Sequence, residues 1–146
     1  MTSVRAGQGW PDDQGQLKLY TTANPAAGAE FTYTVPTGLR WRVIGITARI
    51  VTSIAVGNRL PTVVLNNGSA DFLILPAGGI ITASMTRDCT WLSGVSGYAA
   101  GSYVTGGLPV PLIVGPGYVI KSVTEAIQTG DDWAAANLIV MEWPDA

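Results

Sequence analysis

The chain has 146 residues, 47% of them apolar and 12% charged, with ten carboxylates against eight basic side chains and a net charge of −2. That length supports one domain with a substantial core, and the acidic balance, with a pI near 4.8, works against nucleic acid or an anionic membrane as partner. Histidine is absent and Cys89 is the single cysteine, which excludes an internal disulfide and removes the commonest general base and metal ligand.

Residues Met1 to Gly15 carry no strand periodicity and no apolar stretch of the signal-peptide kind. They are expected to form an arm (1–15) ahead of one β domain (16–146). Arg5 and Trp10 in that arm are residue types that anchor interfaces. No later run approaches the roughly 18 apolar residues of a membrane span, so a soluble chain made in the cytoplasm is expected.

From Gln16 onward, glycine and proline cut the sequence into pieces of strand length. The expected strands, about nine, are Gln16 to Thr22, Phe31 to Val35, Arg40 to Ser53, Asn58 to Asn66, Ala70 to Leu75, Ile80 to Trp91, Pro109 to Val114, Tyr118 to Ala126 and Ala134 to Trp143. The stretch Ile80 to Trp91 alternates most clearly, with Ile81, Ala83, Met85, Cys89 and Trp91 on one face. Tight turns are expected at Asn66 to Ser69, Pro76 to Gly79 and Gly115 to Gly117. The Asn67-Gly68-Ser69 glycosylation pattern is read as that hairpin turn. Many short strands with this punctuation predict an all-β, two-sheet sandwich, jelly-roll-like, with the strand order left open.

The stretch Val35 to Ser53 carries three arginines within a run otherwise fit for a core. Strict alternation puts Arg40 and Arg42 with Ile44, Ile46, Ala48 and Ile50, and puts Trp41, Val43, Gly45, Thr47, Arg49 and Val51 opposite. Neither face is a clean solvent face. Either the strand is long and central, with Arg49 laying its stem over apolar neighbours, or its outer face meets another protein, where arginine and aromatic residues are enriched. From Cys89 through Ile120 no residue is charged. The Ser/Gly/Tyr mixture of Ser93 to Gly107 resembles adaptable binding loops, with Tyr98 and Tyr103 as rigid contact area. A mobile loop without a partner is the alternative. The candidate assembly contacts are therefore Arg5, Trp10, Arg40, Arg42, Arg49, Tyr98 and Tyr103.

Chemical motifs are few. No dinucleotide or phosphate loop and no zinc spacing is present, so no cofactor, metal or catalytic residue is assigned and an enzyme is not expected. Asp131 and Asp132 follow Gly130 as turn residues do. Glu125, Asp131 and Asp132 offer oxygen ligands for calcium but lack a complete loop motif. Cys89 is expected to be a buried, inert thiol. Trp41, Trp91, Trp133 and Trp143 are expected mostly in the core, though a sugar-binding aromatic face on a sandwich is a competing possibility.

Several turn and strand features resemble a group of small virion proteins of tailed bacteriophages. They are Val35, Pro36 and Gly38 leading into a strand; Val56, Gly57, Asn58 and Arg59; Pro111, Leu112, Gly117 and Tyr118; and Asp131 and Asp132 before the last strand. The likeness spans about Phe31 to Trp143. It implies a structural, non-enzymatic, multi-copy virion component; separately, the uncharged segment Leu92 to Pro111 is expected to lie against other copies of the chain, in a trimer or dimer. A capsid decoration protein bound to a major capsid protein is the first expectation, and a tail, neck or fibre module the second.

Overall fold

Alternation of apolar and polar side chains is realised as strands throughout the computed structural model, which describes residues 15–145. Twelve strands and no helix occur among these residues. They are β1 (Gln16–Thr21), β2 (Thr32–Thr34), β3 (Leu39–Val51), β4 (Thr62–Asn66), β5 (Asp71–Pro76), β6 (Thr86–Ser93), β7 (Tyr98–Ala100), β8 (Tyr103–Leu108), β9 (Ile113–Val114), β10 (Val119–Ser122), β11 (Asp132–Trp133) and β12 (Asn137–Pro144). The first sheet runs β1-β12-β3-β6-β8-β7, with the short β9 and β11 also paired to β3; the second runs β2-β10-β4-β5. Every pairing is antiparallel except that of β6 with β8.

The expected all-β, two-sheet architecture is present. The core lies between the sheets: Trp41, Val43, Ile46, Ile50, Trp91, Leu138 and Val140 from the first meet Val63, Leu65 and Ile120 from the second. Trp91 also ties the layers together, because its indole Nε1 donates to the Leu75 carbonyl at 3.0 Å. Phe31 packs edge-on against Trp133 at 5.2 Å. Burial of these large side chains is the main favourable term for such a fold. Core placement holds for Trp41, Trp91 and Trp133, all fully buried, while Trp143 is half-buried.

The β3 puzzle resolves into a bulge. Along β12, Ile139 pairs with Gly45 but its neighbour Val140 pairs with Val43, so Ile44 has no counterpart. One extra residue reverses the alternation. Trp41 and Val43 face the core before it, and Ile46, Ala48 and Ile50 face the core after it. The expected assignment of Arg40 and Arg42 to the same face as Ile46 and Ile50 is thereby corrected: Arg40, Arg42, Thr47, Arg49 and Val51 all lie on the outer side.

The segment Ser93 to Gly107 is likewise not a loop. It holds β7 and most of β8, and it was missed because its glycines look like loop composition. Gly106 faces Trp91 across the parallel pair, and a Cβ there would lie 2.5 Å from Trp91 Cδ1. Glycine at this position makes room for the indole. The parallel β6–β8 pair is an element the jelly-roll expectation lacked. Other local expectations hold: β4 and β5 form a hairpin closed by Asn67 and Gly68, where Gly68 has φ +99° and the Asn67 Oδ1 accepts from the amides of Ser69 and Ala70. The strand expected to begin at Ile80 begins at Thr86, because Ser84 adopts φ +58° in a turn before it.

Candidate functional site

At one end of the sandwich a loop leaves β3 and returns at Arg59, which is fully buried together with Asp131. The Arg59 Nε and Nη2 donate to the two carboxylate oxygens of Asp131 at 2.8 and 2.9 Å, a bidentate pair. The same guanidinium donates to the carbonyls of Gly57 at 2.8 Å and Ala55 at 2.9 Å, and to the Ser53 hydroxyl at 3.3 Å. Asp131 completes its shell with the amides of Ser53 and Gln128, each at 2.8 Å. Burial pushes its carboxyl pKa up, but the hydrogen bonds from Arg59 and those two amides outweigh it and hold the group down at about 2. At the foot of the loop, the Thr52 hydroxyl donates to the Thr82 carbonyl at 2.7 Å and accepts from the Met85 amide at 2.9 Å.

This arrangement fixes the loop from within. With the carbonyls of Ala55 and Gly57 turned in toward the guanidinium, the alternating Ile54 and Val56 project outward, 88% and 92% exposed. No residue from Thr52 to Asn58 is charged. A pinned, uncharged loop that shows two β-branched apolar side chains to solvent has the form of a contact knob.

The sequence had assigned Asp131 and Asp132 together to a turn. The structure separates them: Asp132 is exposed, and Asp131 is a buried structural ion. Among the described residues, no group of three or more acidic, cysteine or histidine side chains is arranged to hold a metal ion.

The sequence-predicted contact residues fall in two places on the outer face of the first sheet, while Arg5 and Trp10 lie outside the described residues. Arg40, near the start of β3, pairs with Asp145 at 2.8 Å, and Arg42 lies beside it in register with Met141 and Ile113. About 30 Å farther along the strand, Arg49 makes a two-bond pair with Asp88 at 2.8 and 3.2 Å. Tyr103 is in register with Asp88, and Tyr98 stands on the adjoining β7. Tyr98 is 53% exposed and Tyr103 59%. Sequence reasoning missed Ile54, Val56 and Arg59 as a unit.

Two other polar groups are accounted for by packing. Glu142 accepts from the Tyr20 hydroxyl and from Trp41 Nε1; burial, with Glu142 beside it, pushes the Tyr20 pKa up to about 12. Cys89 is buried as expected, and its burial raises the thiol to about 12. Compared with protein-family models, curated proteins and solved structures, the chain matches none.

Proposed function

We propose that this chain is a non-enzymatic structural component of a tailed-phage virion, a decoration protein that is made in the host cytoplasm, binds the major capsid protein of the assembled head and stabilises it together with copies of itself. The observation that carries the reading is the Ile54–Val56 knob. A buried bidentate ion pair spent on holding a loop, with two apolar side chains almost wholly in solvent, makes sense where a partner supplies the missing burial. Preorganisation lowers the entropy lost on docking, and binding to the assembled head alone would stabilise that state by mass action. The resemblance of the turn motifs supplies the virion context.

Undecorated heads of the phage that encodes the chain, incubated with the protein and imaged by electron microscopy, test this. Wild type should occupy the lattice. The double variant Ile54→Ser, Val56→Ser should keep its melting temperature and lose most of its occupancy. No binding by wild type overturns the head assignment, and equal occupancy by the double variant overturns the knob.

A further inference from the structure

Strand register lines up the outer face of the first sheet in rows, and one row has a distinct chemistry. Thr21 on β1 pairs with Asn137 on β12, Asn137 with Thr47 on β3, Thr47 with Thr90 on β6, Thr90 with Thr105 on β8, and Thr105 with Tyr98 on β7. Three threonine hydroxyls, those of Thr21, Thr47 and Thr90, and the Asn137 amide thus form a lane across the sheet, bonded in pairs as Thr21 with Asn137 and Thr47 with Thr90; beyond them Thr105 is buried and the row ends on the exposed Tyr98. Six strands at about 4.8 Å spacing give it a length near 24 Å. The neighbouring row is Arg49, Asp88 and Tyr103, and Tyr103 stands diagonally across from Tyr98 on the adjoining strand.

We infer that this lane and its tyrosine end form a binding face for a linear, uncharged carbohydrate chain. A pyranose ring presents a face of C–H groups that meets the negative face of an aromatic ring. Its hydroxyls are paired donors and acceptors, the same chemistry as the threonine hydroxyls and the Asn137 amide. The two tyrosines supply the ring faces, more than half exposed outside a core that already holds three tryptophans. Arg49 is paired with Asp88, so this neighbouring row carries no net positive charge to favour an anion. The threonine row differs in chemistry from the apolar row of Leu19, Ile139 and Leu92 beside it.

The platform is also held rigid. Gly78 presses against the backbone beneath Tyr98, where any Cβ would come within 2.1 Å of the Tyr98 nitrogen, and the Gly78 amide donates to the Thr105 carbonyl at 2.9 Å. A face built in advance keeps the ordering cost of binding low.

The test is an NMR titration of the intact chain with linear hexasaccharides of α-1,4-glucose, β-1,4-glucose, β-1,4-N-acetylglucosamine and β-1,4-galactose. At least one should give saturable shifts at the amides of Thr90, Tyr98, Tyr103 and Thr105. Tyr98→Ala and Tyr103→Ala should each weaken that sugar by about tenfold, Tyr98→Phe and Tyr103→Phe should retain most of the affinity, and the Ile54→Ser, Val56→Ser variant should bind as wild type does. The inference fails if no hexasaccharide shifts this face at millimolar concentration, if shifts map elsewhere, or if the Tyr98→Ala, Tyr103→Ala double variant binds unchanged. It also fails if concentration-dependent self-association without sugar protects the tyrosine face, which would assign that face to a protein contact.

Discussion

Two arginine–aspartate pairs of nearly identical geometry occupy opposite environments. Arg59–Asp131 closes at 2.8 Å with both side chains fully buried, and Arg49–Asp88 closes at 2.8 Å on the outer face with both partly in solvent. The first pair has no water to fall back on, so each member depends on the other and on the loop carbonyls and amides that complete its shell. The second can exchange its partner for water at little cost. Identical contacts therefore serve different ends: one holds a loop in a fixed shape, and the other shapes a surface.

The largest expected effect follows from breaking the buried pair. Asp131→Asn leaves the Arg59 charge without its counterion, at a cost of about 3–5 kcal/mol, a large part of a typical domain's stability. Urea denaturation should show it as a fall in midpoint. Replacing both partners, with Arg59→Met and Asp131→Leu, should recover part of that loss by removing the orphaned charge. Recovery stays incomplete, because the carbonyls of Ala55 and Gly57 and the amides of Ser53 and Gln128 lose their partners as well. Full recovery would show that the loop needs no internal clamp.

Acid should expose the same difference. A carboxyl held down at about 2 in the folded chain and near its ordinary value of about 3.9 when unfolded contributes stability that is complete above the unfolded value and is lost as pH falls toward the folded one. Melting temperatures measured from about pH 6 down to about pH 2 should therefore drop more steeply for wild type than for Asp131→Asn. Parallel curves would mean that Asp131 is not the carboxylate that sets the acid limit.

How far the sequence reveals each region follows from whether its cause is local. Alternation, the Asn67-Gly68 hairpin and the buried face of Cys89 and Trp91 are written within a few residues, and they are legible. The Arg59–Asp131 pair joins positions 72 apart, and nothing near either residue marks it; Asp131 and Asp132 look equivalent in the chain and differ only in the fold, where Asp131 is buried just ahead of β11 and Asp132 opens that strand exposed. Gly45, alone inside an apolar run, was the available signal for the β3 bulge. In β8 the composition misled, since glycines that suggest a loop are present because Trp91 needs the space. Gly106→Ala tests that account: its Cβ would displace the Trp91 ring, at an expected cost of about 1–3 kcal/mol by denaturation. A neutral result would leave the glycine unexplained by packing.

The smallest effect is expected at the surface pair, and it is informative because Asp88 adjoins the buried Cys89. Hydrogen bonding from Arg49 lowers the Asp88 pKa, while partial burial opposes the shift. By the same sign rule its contribution is present above the ordinary carboxylate value and fades in acid, and molar salt, with a Debye length of about 3 Å, should screen most of it. Asp88→Asn should then shift the melting temperature by no more than about 3 °C. The Cys89 thiol, fully buried and raised to about 12, reports whether the sheet opens. At about pH 8 a disulfide reagent should leave it unmodified in wild type and in Asp88→Asn, yet should label it faster in Asp131→Asn, although Asp131 lies 42 residues away in sequence and Asp88 is its immediate neighbour. Rapid labelling in Asp88→Asn would mean that the exposed pair clamps β6 to β3 and would erase the distinction between the two pairs.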